Sequence, residues 1–203
     1  MNRSHIPTRQ LPLGAGHGAP LPYDALVEYV ESTGAQYVDT RAEPTSDIVV
    51  ETSFMRSVAV SGTAIFGKAS FDGGTVLRLY SDVFQRAGYN AAHSTSVPVD
   101  TNWHVVRSSA TETIVDGVSM SGKFTGNFAP GSLFIFAQRA SMSAANVLSK
   151  SRISYFRLYM LGTLALDLAP CRVGSAGALY DRVSGTLYYS ATSTALIPGP
   201  DLP

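Results

Sequence analysis

From residue 23 onward the chain is a succession of short runs rich in Val, Ile, Tyr, Phe and Thr, each cut off by Gly, Ser, Asn, Asp or Pro. No stretch sustains a helical repeat over three turns, so the runs read as strands. They are "LVEYVES", "AQYVD", "DIVVETSFM", "TAIFGKA", "TVLRLYS", "VFQRAGY", "WHVVRSS", "TETIVD", "SLFIFAQ", "RISYFRLYML", "TLALDLA", "GALYD" and "TLYYS". Many short strands at close spacing satisfy their backbone groups as two stacked antiparallel sheets or as a barrel. Asp116-Gly117 inside "TIVDGVSM" marks a hairpin, because a type I′ turn needs positive φ at both central positions. Ser184-Gly185 inside "YDRVSGTLYYS" marks a second.

A chain of 203 residues suffices for one domain with a sizeable core, since such a domain hides roughly 70% of the surface its unfolded chain exposes. Charged residues make up 15% and hydrophobic ones 45%, against a charged share of about 25% in average soluble proteins. Fifteen basic and fifteen acidic residues cancel, so no overall field draws the chain to nucleic acid or to anionic lipid. The lone Cys171 excludes an intramolecular disulfide and reads as a small buried hydrophobe. The apolar run from Leu158 to Leu166 is interrupted by Gly162, and it is far shorter than the about 20 residues a membrane helix needs.

Residues 1–22 form a separate segment, with Pro7, Pro12, Pro20 and Pro22, glycines at 14, 16 and 18, and no acidic residue. Such a segment does not fold alone and is expected to be an extended arm. The sandwich is expected over 23–197, and 198–203 as a C-terminal tail whose prolines cannot donate in a ladder. The N-terminus has no apolar stretch of the secretory kind, from which synthesis without export is expected.

The chain offers no catalytic signature. Glycoside hydrolysis needs two carboxyl groups, about 5–5.5 Å apart for retention and roughly 6.5–9.5 Å for inversion. Within one strand Asp47 and Glu51, like Glu112 and Asp116, share a face yet stand ~13 Å apart. Glu28 and Glu31, three residues apart in a strand, point to opposite faces. No Gly-x-Ser-x-Gly elbow occurs, and Cys171 has no histidine near it in sequence. His5, His17, His93 and His104 lack the spacing of a metal site, and "GAGHGA" runs into Pro20 instead of opening a helix. No cofactor is expected. For a calcium ion the loop candidates are Asp72, Asp82 and Asp100, residues that equally serve as turn formers.

Tyr29, Tyr37, Phe54, Phe66, Trp103, Phe134, Phe136, Tyr155 and Tyr159 fall within strands, where packing is the expected role for most. Tyr80, Phe84 and Tyr89, in the less regular "LYSDVFQRAGYNAAHS", are the candidate platform for a sugar ring.

The stretch "LPYDALVEYVESTGAQYVDT", followed in order by "FGKAS", "NWHVVRSSATETIVDGV", "NFAPGSLFIFAQ", "SRISYFRLYMLGTLALDLAPC" and "GALYDRVSGTLYYS", resembles the concanavalin A-like lectin/glucanase (laminin-G-like) domains of bacterial surface proteins and bacteriophage structural proteins. The resemblance covers roughly Leu21 to Leu196 and departs from the usual pattern at Arg41 (Gly), Leu161 (Asn) and Leu166 (Arg). It implies an all-β, two-sheet antiparallel jelly-roll sandwich with no fixed catalytic residues. The Glu-x-Asp-x-x-Glu strand of the related β-glucanases does not occur.

The resulting expectation is a non-enzymatic virion structural protein of a bacteriophage: a capsid decoration, head-fibre or tail adhesin subunit, homo-oligomeric, made in the host cytoplasm. Its arm, through Arg3, His5 and Arg9, would dock on other virion proteins, and its outward domain would hold host or mucus glycans. The alternative is a carbohydrate-binding adhesion module of a bacterial cell surface, and a divergent glycosidase ranks last.

Overall fold

The structure is a computed structural model. It describes residues 20–43, 47–58, 63–68, 76–80, 83–88, 91–98, 100–109, 111–121, 131–139, 145–146 and 148–203, the side chains of 76–80, 83–88, 91–96, 120–121, 139 and 145–146 excepted. The arm residues Arg3, His5 and Arg9, and His17, Asp72, Asp82 and Tyr89, lie outside the described residues.

The described residues contain strands and no helix. In chain order the first are β1 (Ala25–Leu26), β2 (Val30–Thr33), β3 (Val38–Asp39), β4 (Ile48–Arg56), β5 (Thr63–Gly67), β6 (Val76–Tyr80) and β7 (Val83–Gly88). Next come β8 (Ala91–Pro98), β9 (Trp103–Ser109), β10 (Glu112–Val115), β11 (Val118–Ser121), β12 (Phe134–Ile135), β13 (Gln138–Arg139) and β14 (Ala145–Asn146). The last are β15 (Lys150–Met160), β16 (Thr163–Val173), β17 (Ala176–Asp181), β18 (Leu187–Tyr188) and β19 (Ile197–Pro198).

They form the expected sandwich of two antiparallel sheets. The larger runs β11-β10-β9-β4-β15-β16-β17-β18, with β1 beside β16 and β2 between β15 and β19. The smaller runs β3-β12-β5-β6-β7-β8, and β13–β14 is a separate ribbon. The chain crosses between layers, and a strand's neighbours are often distant in sequence: β4 lies between β9 and β15.

Alternation decides which side chains meet between the layers. In β4, Ile48, Val50, Thr52 and Phe54 are buried, while Val49, Glu51 and Met55 are half-buried on the other side. In β9, His104, Val106 and Ser108 point in, and Trp103, Val105 and Arg107 point out. The core is a single cluster to which both sheets contribute, including Phe54, Phe156, Leu158 and Leu168 from the large one and Ile65, Phe66 and Ile135 from the small one. Phe66 meets Phe156 edge-on across the layers, ring centroids 5.9 Å apart and planes at 77°, a preferred geometry for aromatic quadrupoles.

The segment Ser32–Gln36 takes the chain from the large sheet to the small one. The Ser32 hydroxyl donates to the Gln36 carbonyl at 2.9 Å, and Gln36 Oε1 accepts from the Thr33 N–H at 2.8 Å. Gln36 Nε2 reaches the Ala195 carbonyl at 3.1 Å, so the turn is tied to the far end of the chain. Tyr37, just beyond it, packs on Phe134 at 4.8 Å.

The Asp116-Gly117 hairpin has the expected left-handed pair, φ 49° and 81°. Ser184-Gly185 differs. Only Gly185 is left-handed, and it closes a longer loop by donating from its N–H to the Asp181 carbonyl at 2.8 Å. Arg41 and Leu161 take positive φ of 56° and 50° with side chains that ordinarily avoid it.

The chain end folds back along β2. The Gly199 N–H donates to the Tyr29 carbonyl at 2.8 Å, the Glu28 N–H to that of Pro200 at 2.9 Å, and the Leu202 N–H to that of Leu26 at 2.8 Å. Arg172 clasps Asp201 through Nε at 3.0 Å and Nη2 at 2.8 Å.

Candidate functional site

The outward face of the large sheet carries a concentration of aromatic and ionic side chains among the described residues. Its geometry follows from three registers. Met55 lies opposite Trp103, and Glu51 opposite Arg107, across β4 and β9. Arg152 lies opposite Met55, Tyr155 opposite Ser53, and Arg157 opposite Glu51, across β4 and β15. Arg157 lies opposite Asp167 across β15 and β16. A register shift between Ile153 and Tyr155 changes the parity of β15. Arg152 and Tyr155, three residues apart, therefore emerge on one face.

One corner of this face is aromatic. Trp103 is 42% exposed and tilted against Tyr29, with ring centroids 6.2 Å apart. The Arg152 guanidinium lies 4.5 Å from the Tyr29 ring centre, a cation–π contact. Arg152 Nε donates to Glu31 Oε2 at 2.8 Å, and the Ser57 hydroxyl donates to Glu31 Oε1 at 2.6 Å. On the Tyr29 ring lies Gly199, where a Cβ would fall 2.9 Å from Cδ1 and Cε1. Tyr29 is thus held by backbone and guanidinium, and Trp103 presents indole surface beside it.

A charged row crosses the centre. Arg107, Glu51, Arg157 and Asp167 stand side by side on β9, β4, β15 and β16. Arg107 Nε lies 3.5 Å from Glu51 Oε1, and Arg157 Nε donates to Asp167 Oδ1 at 2.9 Å. Arg182, from the β17–β18 loop, approaches Asp167 Oδ2 at 4.0 Å. The Tyr159 hydroxyl donates to Glu51 Oε2 at 3.4 Å, and the Arg157 guanidinium lies 5.4 Å from the Tyr155 ring centre. The hydrogen bond that Arg157 donates to Asp167, seconded by the charges of Asp167, Tyr159 and Glu51 against the cost of burial, holds the Arg157 pKa above its ordinary value.

Beside the row lies a cleft of about 310 Å³, within the size range of ligand pockets. Leu26, Pro170, Leu202 and the Tyr155 ring supply its apolar wall, and Glu28 and Arg182 its charged edges. Glu28 and Glu31 do not divide between two faces as an unbroken strand would have them. Glu28 sits in the irregular link between β1 and β2 and lines this cleft, while Glu31 pairs with the outward Arg152.

Two polar constellations support the face from beneath and beside. Buried His104 joins the β10–β11 turn to the segment before β9, with Nδ1 2.6 Å from Asp116 Oδ2 and Nε2 3.1 Å from Asp100 Oδ1. A neutral imidazole can donate to only one of these carboxylates. The Asn102 backbone N–H, donating at 2.7 Å, is the chief influence holding the Asp100 carboxyl below its ordinary value. Asp100, one of the calcium candidates, thus serves as a turn former, and among the described residues no cluster of three or more His, Cys, Asp or Glu is placed to hold a metal.

Fully buried Asp181 accepts at Oδ1 from the N–H groups of Asp167 and Val183 and at Oδ2 from the N–H and hydroxyl of Ser184. Burial pushes its carboxyl up, but the Ser184 hydroxyl and the three backbone donors outweigh that and hold it below its ordinary value. This network fixes the loop that carries Arg182 over Asp167. Cys171 is buried as expected, and desolvation pushes its thiol up to about 11.

Of the residues expected to form the sugar platform, Tyr80 and Phe84 have a described backbone but no described side chain, and Tyr89 lies outside the described residues. Tyr80 is the last residue of β6 and Phe84 the second of β7 in the small sheet, where Tyr80 pairs with Val83 and Phe84 with Leu79. The aromatics expected to pack divide by chemistry. Phe54, Phe66, Phe134 and Phe136 are buried, whereas Tyr29, Tyr155 and Tyr159 are half-buried and Trp103 is exposed. Tyr and Trp carry a polar atom that needs water or a partner, and Phe does not.

No family model matches the chain, and a search of curated proteins finds no relative. Among solved structures the fold is similar to the crystal structure of a protein from Bacteroides ovatus that carries a provisional assignment to carbohydrate binding. The two superpose with a TM-score of 0.61 at 13% sequence identity, over 88% of this chain and 62% of the other. The chain thus spans less than two thirds of that neighbour's length, and the likeness is one of fold: an all-β sandwich.

Proposed function

We propose that this domain is a non-catalytic carbohydrate-binding module whose binding surface is the outward face of the large sheet. The observation that carries the reading is the exposed Trp103 indole set beside a Tyr29 ring that Arg152 and Gly199 hold in place. A sugar ring has apolar C–H faces and an equator of hydroxyls, so an aromatic surface bordered by a paired guanidinium and carboxylate meets both needs. Arg152 and Glu31 supply that border. The assignment of the Bacteroides ovatus neighbour points the same way.

A binding role is preferred to hydrolysis because the face's two central carboxylates, Glu51 and Asp167, are each engaged by arginines. The virion setting rests on residues 1–22, nearly all outside the described residues; the binding reading stands without it and applies equally to a cell-surface module.

The test is a glycan array probed with the wild-type protein and with Trp103→Ala. Loss of a central aromatic anchor costs about 2 kcal/mol or more, roughly thirtyfold in Kd. An unchanged array signal for the variant, or reducing-sugar release by the wild type, refutes the proposal.

A further inference from the structure

The charged row is unbalanced. Three guanidinium groups, Arg107, Arg157 and Arg182, alternate with two carboxylates, Glu51 and Asp167, so the row ends in a positive charge on both sides. The terminal arginines are loosely held, at 3.5 and 4.0 Å from their carboxylates, with side chains 52% and 51% exposed. The central Arg157 makes its hydrogen bond through Nε alone among the described residues, and its side chain is 41% exposed. Its Nη1 and Nη2 keep their donors for a ligand. Those two nitrogens form the planar fork that matches a carboxylate.

The fork stands next to a platform. The Arg157 guanidinium lies 5.4 Å from the Tyr155 ring centre, and Tyr155 with Arg182 lines the cleft of about 310 Å³. From these contacts we infer that the cleft and the row form a subsite for a uronic-acid residue, its ring on Tyr155 and its carboxylate on the Arg157 fork with Arg182 alongside. A hexuronate carries its carboxylate directly on the ring, so one residue spans platform and fork together. Glu28, on the cleft's other edge, has no ion pair among the described residues and accepts from ring hydroxyls; its charge also disfavours a second anion there. The inference rests on the carbohydrate-binding reading and specifies the ligand class for that same face.

The experiment measures affinity for polygalacturonate and for its fully methyl-esterified form, which keeps the rings and loses the charge. Wild-type protein should bind the acid form at least about tenfold tighter, the scale of one charge-assisted hydrogen bond, and the preference should fall as salt rises. Arg182→Gln and Arg157→Lys, which retains charge but not the fork, should each abolish most of the preference while melting like the wild type. Equal affinity for the two forms, an undiminished preference in both variants, or dextran sulfate binding as tightly as polygalacturonate overturns the uronate assignment and leaves the carbohydrate-binding reading standing. Absence of binding to every acidic and neutral glycan on the array overturns both.

Discussion

Replacing Leu161 should make the protein more stable. Leu161 and Gly162 are the two central residues of the β15–β16 hairpin, with φ of 50° and 75°. That is the left-handed pair of a type I′ turn, in which Asn-Gly is the favoured sequence. A leucine held there costs roughly 1–2 kcal/mol, because its Cβ crowds the following carbonyl oxygen. Its side chain is 76% exposed, so little burial is surrendered on exchange. The bond from the Leu161 N–H to the Asp47 carbonyl at 3.1 Å involves only backbone and survives the substitution.

Leu161→Asn should therefore stabilise the fold by about 1 kcal/mol, equivalent in a domain of this size to about 2–4 °C in Tm. Leu161→Gly should gain less, since the freer unfolded chain returns about 0.5–1 kcal/mol. Arg41→Gly, at φ 56° in a separate turn, should add to the gain. Urea melts at neutral pH give the measurement, with the midpoint rising at constant m. A midpoint for Leu161→Asn equal to or below that of the wild type refutes the strain argument.

Gly199→Ala should weaken glycan binding without touching the ligand, because the added methyl meets the Tyr29 ring at 2.9 Å and displaces it from Trp103; the array signal should fall in the same direction as for Trp103→Ala while the far-UV spectrum is kept. Asp181→Asn should cost about 2–3 kcal/mol at pH 7, since an amide reproduces only one of the two acceptor oxygens. Because the folded Asp181 pKa lies below its unfolded value, that contribution is complete above the ordinary carboxylate range. It is lost as the pH falls through the folded value, so the gap between variant and wild type in urea melts should narrow below about pH 4. Cys171, buried and with its thiol pushed up to about 11, should resist iodoacetamide at pH 8 in the native protein and react once the chain is unfolded in urea.

The layered fold was legible because it is written in nearest neighbours. Alternation in "WHVVRSS" and "DIVVETSFM" puts Val106, Val50 and Phe54 inward with no knowledge of the partner strands. Asp116-Gly117 likewise specifies its own turn. The outward face is not local. Glu31 meets Arg152 across 121 residues and Tyr159 meets Glu51 across 108, and nothing in either run names its partner.

The parity change at Ile153–Tyr155 hid the rest, since an unbroken strand would send Arg152 and Tyr155 to opposite sides. One signal was available in the sequence. The strand aromatics that reach solvent are Tyr and Trp, and those that fill the core are Phe, so weighing the polar atom of each ring would have moved Tyr29 and Trp103 out of the packing set.

The pairing of β2 with β15 on one side and β19 on the other has a consequence for how the molecule comes into being. On a ribosome the segment Val30–Thr33 emerges among the first strands, yet both of its hydrogen-bonding neighbours are translated in the final quarter or so of the chain. Until β15 and β19 have been made its peptide groups lack their strand partners, so this part of the large sheet closes only once the last strands of the domain are present.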